Sequence, residues 1–285
     1  MSSRNLIRFD WAIKRLLRNK ADYSVLEGFL SELLKENITI ENILESEGNQ
    51  KLNKDKFNRV DMLVKNSKGE LVIIEIQNEQ EYDYFHRMSY GASKTLTEYI
   101  SIGEPYRNLK KIYSINIVYF DLGQGEDYIY HGKTDFTGLH KKDKLLLSTK
   151  QIELLGKTEP SEIFPEYYVI KVNQFNDVAK DTLDEWIYYL KNNEIKDTFT
   201  AKGIDKAKEL WKLDSLSEEE YKTYNRHLED LRYSASMIWT MKVDAEDKIK
   251  KDRDIEIAKT LKLKGVEIEI IIQSTGLTRE EIENL

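Results

Sequence analysis

The sequence predicts an α/β protein with a central mixed sheet, because strand-like and helix-like segments alternate over residues 1–175. Apolar residues at helical spacing come first, and runs rich in Val and Ile follow on either side of a long amphipathic stretch. From residue 177 onward the pattern is helical. We therefore expect a sheet domain with helices on both faces at 1–175, and a helical C-terminal region at 176–285.

Each element of the first half follows from its apolar spacing. The two N-terminal helices show apolar side chains at i, i+3 and i+4, while residues 38–48 show no regular pattern. Gly103 and Pro105 close the long helix. The expected elements are helices at 9–19 and 23–36, a β-hairpin at about 57–77, a helix at about 79–101 and a strand at 111–120.

The second half begins with short strands and ends with helices. Thr278 and Glu281 have the spacing of a capping box, which marks the start of the last helix. The expected elements are strands at 128–131, 143–149 and 166–173, a helix around 186–190, helices at 204–213, 217–240 and 244–264, and two short helices within 266–285.

Composition excludes several classes of function. The 285 residues include no cysteine, which rules out disulfides, thiolate zinc sites and cysteine nucleophiles, and is compatible with a cytoplasmic location. No apolar run approaches the roughly 20 residues of a membrane span. The net charge of −7 argues against nonspecific coating of nucleic acid, although it leaves room for an enzyme with a local basic patch.

The expected hairpin brings two acids together. A three-residue loop, Ser67-Lys68-Gly69, pairs Val64 with Val72 and, further out, Asp61 with Glu75. Directly opposed residues share a face, with Cβ atoms about 5 Å apart, and alternation places Gln77 on that face too.

Two like charges opposed on an apolar hairpin destabilise it, and a bound divalent cation would reverse that effect. Glu75 lies within the apolar run Leu71–Ile76, where an unpaired carboxylate is costly. The pattern therefore indicates a metal site held by oxygens, which is typical of phosphate chemistry. The alternative is a solvated strand face that carries alternating charges.

Four stretches of the sequence resemble one family. They are Phe9–Leu17, Val25–Leu30, Arg59–Asp61 with Ile74–Gln77, and Tyr84–Lys94. An Asp, a hairpin, a Glu-x-Gln that ends an apolar strand, and a following helix resemble the PD-(D/E)XK phosphodiesterase core. The set is most similar to the recombination-promoting nuclease/putative transposase (Rpn) family of that superfamily.

The resemblance implies a restriction-endonuclease-like core and a set of metal ligands. Asp61 and Glu75 would bind Mg²⁺ or Mn²⁺, with the carbonyl of Ile76 as a further ligand. Gln77 stands where the superfamily usually has lysine; an amide carries no charge and accepts no proton at neutral pH, but it can orient the attacking water. Glu27 is the candidate third catalytic carboxylate, and its alternative is a surface glutamate at the helix edge.

Basic and aromatic residues near the hairpin are candidates for DNA binding. Arg87, Tyr90 and Lys94 lie at i, i+3 and i+7 on the expected helix, where they could hold the phosphate backbone or supply the missing cation. Their alternative role is a solvated helix face. Arg59 lies opposite Gln77 in the same register, so it is a candidate for DNA contact or for a cross-strand hydrogen bond.

These expectations combine into a function. We expect a Mg²⁺-dependent DNA endonuclease that promotes recombination or transposition, with DNA as its partner and no membrane association; cleavage of both strands would favour a homodimer. The alternative is a catalytically weak or inactive descendant that binds nucleic acid or protein. The sequence does not separate DNA from RNA as the substrate.

Overall fold

The computed structural model describes residues 6–12, 22–44 and 61–285, and in these the chain forms a mixed sheet with flanking helices. The strands are β1 (Ile40–Leu44), β2 (Met62–Asn66), β3 (Leu71–Gln77), β4 (Ile112–Val118), β5 (Ile129–Gly132) and β6 (Glu166–Lys171). Within the described ranges they form one six-stranded sheet in the order β1-β2-β3-β4-β6-β5. β2 pairs antiparallel with β1 and β3, β4 is parallel to β3 and β6, and β5 is antiparallel to β6.

Helices occupy most of the remaining regular structure. Residues 9–12 are helical, and the rest of the helix expected at 9–19 lies outside the described residues. The further α-helices are α1 (Ser24–Leu34), α2 (Tyr84–Glu98), α3 (Thr149–Leu155), α4 (Thr182–Asn192), α5 (Ile204–Leu210), α6 (Glu218–Leu263), α7 (Ile268–Thr275) and α8 (Arg279–Glu283). The expected α/β class, with its helical C-terminal region, is confirmed.

The hairpin between β2 and β3 has the expected register. Val64 pairs with Val72, and Gly69 has a φ of 77°, the left-handed conformation that the turn requires. The side chain of Asn66 closes the turn: its Oδ1 accepts from the backbone N–H groups of Lys68 and Glu70 at 3.0 and 2.9 Å. Local turn chemistry thus sets which residues of the two strands oppose each other.

Helix α2 packs on the sheet face that carries Glu75 and Gln77. Three of its buried side chains, Tyr84, Met88 and Ala92, enter two apolar clusters formed with the strands. The strand residues of these clusters are Leu63, Leu71, Ile73, Ile112, Val118 and Val169. Because side chains alternate along β3, Glu75 and Gln77 lie on the same face as Ile73, next to α2.

Helix α1 is fixed by a close approach to the start of α5. A Cβ atom at Gly28 would lie 2.1 Å from the carbonyl oxygen of Lys202, so only glycine fits there. Gly203 follows with a φ of 79°. This contact sets the position of α1 and of Glu27, which precedes Gly28.

Two expected features differ from the structure. β1 falls in a region without a predicted element, because a bulge between Ile40 and Asn42 breaks its alternation. The strand expected at 143–149 is wrong. Ser148 instead caps α3, with its backbone N–H donating to Gln151 Oε1 at 2.9 Å.

Helix boundaries also differ. α2 is shorter than the expected 79–101 and leaves the residues before Tyr84 in a turn. The helices expected at 217–240 and 244–264 are one helix, α6, since residues 241–243 contain no glycine or proline to interrupt it.

The chain divides into two compact units, Met1–Leu216 and Ser217–Leu285. Helices α4 and α5 contact α1 and so belong to the first unit, although the expected division after residue 175 would place them in the second. In the second unit, α7 and α8 pack on the end of α6 through Ala258, Ile271, Leu277 and Ile282. The capping box of Thr278 and Glu281 is present. None of the described helices combines the length and the apolar character that crossing a membrane requires.

Candidate active site

The structure brings Asp61 and Glu75 together at one end of the hairpin. Asp61 directly precedes β2, and the ladder that pairs Met62 with Ile74 places Asp61 opposite Glu75. Oδ2 of Asp61 accepts a hydrogen bond from the backbone N–H of Ile76 at 2.7 Å. The carboxylate of Asp61 is therefore tied to the strand that carries Glu75.

Glu75 occupies an unfavourable place for a negative charge. Its side chain is 13% exposed. Its pKa is raised to about 8, first by burial and then by the negative charge of Asp61; the charge of Arg87 opposes this rise, and Glu81 adds to it. Burial and the opposed acid therefore both disfavour the charged form of Glu75, and Arg87 offsets them only in part.

Arg87 extends from α2 to three acceptors at the end of β3. Its Nη2 donates to Glu75 Oε2 at 3.4 Å, while Nη1 donates to Glu81 Oε2 at 2.9 Å and to Gln77 Oε1 at 3.5 Å. The amide of Gln77 also donates from Nε2 to the carbonyl oxygen of Glu79 at 3.2 Å. Gln77 is thus held in one orientation beside a positive charge.

Tyr84 and Asn116 form a hydrogen-bonded pair beside Glu75. Tyr84 donates from its hydroxyl to Asn116 Oδ1 at 3.3 Å, and Asn116 Nδ2 donates to the carbonyl oxygen of Ser114 at 3.0 Å. Burial raises the pKa of Tyr84 well above its ordinary value, so the hydroxyl keeps its proton. Tyr84 and Asn116, with Glu75 and Arg87, line a small cavity whose wall is completed by apolar residues of β3 and α2.

Glu27 is placed away from this pair of acids. Its Oε1 accepts from the backbone N–H of Ile40 at 2.8 Å, so it ties α1 to the start of β1. In the described ranges, no three His, Cys, Asp or Glu side chains gather into a group that would hold a metal. The structure therefore does not bring Glu27 together with Asp61 and Glu75.

The candidate DNA-binding residues have different surroundings. Arg87 is 28% exposed and points toward the acids, whereas Tyr90 is 52% exposed on the outer side of α2. Lys94 forms an i,i+4 ion pair with Glu98 at 3.6 Å. Arg59 lies outside the described residues.

Sequence reasoning missed Glu81, which the structure places within the site through its ion pair with Arg87. The segment 78–83 contains two glutamates and an aspartate directly after the apolar strand β3. That acidic cluster, next to a helix with an inward arginine, was the available signal.

The chain belongs to the PD-(D/E)XK nuclease family transposases, whose model matches residues 7–240. The match confirms the resemblance and shows a nuclease-like, transposase-related function. Nucleases of the PD-(D/E)XK class generally use divalent metal ions. Comparison with curated proteins and with solved structures found no match.

The donor set at the hairpin fits a hard divalent cation. Asp61 and Glu75 supply carboxylate oxygens whose mutual repulsion a cation would relieve. The N–H and C=O groups of one strand residue point to the same side, so the carbonyl of Ile76 is directed toward Asp61 as its N–H is. Mg²⁺ keeps several waters and needs few protein carboxylates, so two acids and a carbonyl suffice.

Proposed function

We propose that this protein is a metal-dependent DNA endonuclease that hydrolyses phosphodiester bonds. The observation that carries the proposal is the pair Asp61 and Glu75, in which a buried carboxylate is opposed by another acid and Arg87 offsets its charge only in part. A divalent cation bound between the two carboxylates would stabilise this site by offsetting their repulsion.

Asp61, Glu75 and the carbonyl of Ile76 would hold Mg²⁺ or Mn²⁺. An ion bound there supplies a water of lowered pKa and neutralises charge on the scissile phosphate. In the hydrolysis, a water oxygen bonds to phosphorus while the bond from phosphorus to one sugar oxygen breaks. The attacking water gives up its proton to solvent, and the departing sugar oxygen takes one from solvent.

The other site residues position water and DNA. Gln77, held by its contacts with Arg87 and the Glu79 carbonyl, orients the attacking water. Tyr90 and Lys94 of α2, together with Arg87 and Arg59, contact the phosphate backbone. The carboxylate of Glu27 holds α1 on β1, and in the proposed enzyme it supports the site from there.

The family supports a role in recombination or transposition, because the matching model describes transposases. If movement of the DNA element proceeds by cuts in both strands, two copies of the chain, one on each strand, would supply them. We therefore propose that the active form on DNA is a homodimer.

A second candidate function is a binding module without catalysis. The observation that favours it is the neutral amide of Gln77, which leaves the site without the lysine that the superfamily usually has at this position. Arg87, already paired with Glu75, would then be a purely structural cation.

Nicking of a supercoiled plasmid with Mg²⁺ or Mn²⁺ tests the proposal. We expect wild type to cleave, and Asp61→Asn and Glu75→Gln to lower the rate at least about 100-fold, because each replaces a charged metal ligand with a neutral amide. Glu104→Gln, at an exposed position after α2, is the matched control and should cleave as wild type does. If wild type cleaves nothing with either metal yet still shifts DNA in a gel, the binding module is the correct function.

A further inference from the structure

Arg87 donates to two acids that lie on different elements of the fold. One is Glu75, the proposed metal ligand, at 3.4 Å from Nη2. The other is Glu81, at 2.9 Å from Nη1, in the turn that joins β3 to α2. The shorter contact is therefore with the acid outside the opposed pair.

The guanidinium of Arg87 makes its hydrogen bonds to the acids through Nη1 and Nη2. Its Nε is buried and has no hydrogen-bond partner among the described residues. The side chains of Arg87 and Glu81 are 28% and 27% exposed, so their ion pair lies at the rim of the site. The guanidinium thus depends on Glu75 and Glu81 for its charged contacts.

Glu75 is then the partner of two cations. Arg87 binds its Oε2 in the present structure, and a metal between Asp61 and Glu75 would need the same carboxylate. Two positive charges at one carboxylate repel each other at this range. Each cation therefore lowers the affinity of Glu75 for the other.

We propose that Arg87 and the divalent metal are alternative cations at Glu75, and that Glu81 is the positioning residue that keeps Arg87 at the site when the metal takes Glu75. The inference rests on the proposed metal-dependent function, and it assigns to Glu81 a role that depends on Arg87.

The contact between Arg87 and Glu81 bears on the lysine that the superfamily usually has and that this chain lacks. Held by Glu81, the guanidinium remains beside Gln77, since Nη1 contacts both residues. A positive charge is then present next to the motif position where an amide replaces lysine. Arginine supplies charge and hydrogen bonds there but no proton, because it does not deprotonate in proteins.

The test is a double-mutant cycle on metal affinity, read without DNA from the electron paramagnetic resonance signal of free Mn²⁺. Arg87→Gln should bind Mn²⁺ about fivefold more tightly, because the competing cation is gone. Glu81→Gln should bind Mn²⁺ about threefold more weakly, because Arg87 then has Glu75 as its main acidic partner. In the double variant, Glu81→Gln should change nothing further, because its effect depends on Arg87.

Two controls separate this linkage from general electrostatics. Lys94→Gln removes one positive charge from the same helix, and Glu79→Gln removes one negative charge two residues before Glu81. The proposal is overturned if Arg87→Gln binds Mn²⁺ no more tightly than Lys94→Gln, or if Glu81→Gln has the same effect with and without Arg87. A protein that shows the linkage but cleaves no DNA loses the nuclease function and keeps this inference, while one that cleaves without the linkage does the reverse.

Discussion

Asp61 and Ile76 are joined across the hairpin by a hydrogen bond of 2.7 Å, from the backbone N–H of Ile76 to Oδ2 of Asp61. The bond extends the pairing of β2 and β3 by one side chain, at the point where backbone pairing ends. It holds one acid of the candidate site against the strand that carries the other. The hairpin therefore fixes the positions of the Asp61 and Glu75 carboxylates relative to each other.

This bond predicts a difference between two variants of Asp61. Both Asp61→Asn and Asp61→Ala remove the charge, but only asparagine keeps an oxygen that accepts from Ile76. We expect the asparagine variant to be more stable to urea than the alanine variant by about 1–2 kcal/mol, the cost of an unsatisfied, partly buried N–H group. Equal stability of the two would show that the bond contributes nothing to folding.

The raised pKa of Glu75 predicts a pH-dependent stability without metal. Because its pKa rises from 4.5 to about 8 on folding, Glu75 stabilises the fold most below pH 4.5, and that contribution is lost as pH rises through 8. Glu75→Gln stays neutral at every pH. In EDTA, we expect it to be more stable than wild type by about 4–5 kcal/mol at pH 9, the free energy that corresponds to this pKa difference, and about equally stable near pH 4.5.

Urea unfolding at several pH values measures this difference. Glu98→Gln is a suitable control, since it removes an exposed acid from the neighbouring helix. A stability advantage of Glu75→Gln that does not grow between pH 5 and 9 would contradict the assignment of the buried charge. Added Mg²⁺ should remove the advantage at high pH, because the cation stabilises the wild-type carboxylate and not the amide.

The pair Asp61 and Glu75 was predictable from sequence because its cause is local. The loop before Glu70 fixes the register, and alternation does the rest. The ion pair of Arg87 with Glu81 was not predictable, because it depends on where α2 begins. If the helix began at residue 79, Glu81 and Arg87 would lie on different sides of it. The helix begins at Tyr84 instead, and the turn before it places Glu81 next to Arg87.

The contact that Glu27 makes was not predictable from the sequence either. The sequence places it on a helix beside the sheet, and the structure confirms that helix as α1. Its hydrogen-bond partner is the backbone of Ile40, in a strand whose bulge hides it from a reading of alternation. A contact between two elements is predictable only when both elements are predicted, and β1 was not. Its catalytic role stays a prediction.

Two helical glycines predict opposite effects of alanine. At Gly28 a Cβ atom would lie 2.1 Å from the carbonyl oxygen of Lys202, whereas at Gly91, in α2, it would meet nothing within 4 Å. We expect Gly28→Ala to lower stability by about 3 kcal/mol through overpacking, and Gly91→Ala to raise it by up to about 1 kcal/mol through helix propensity. Thermal unfolding of both variants checks this, and a Gly28→Ala protein as stable as wild type would contradict the close contact.

A lysine at position 77 should compensate for the loss of Arg87. The two side chains meet at 3.5 Å, so an amino group there would place a positive charge near the one that is removed. We expect Arg87→Gln to slow single-turnover cleavage about 100-fold at saturating Mn²⁺, and Gln77→Lys in that background to recover about tenfold. Gln77→Met in the same background is the matched control, with similar length and no charge. If the lysine variant is no faster than the methionine variant, Arg87 acts in cleavage through something other than its charge.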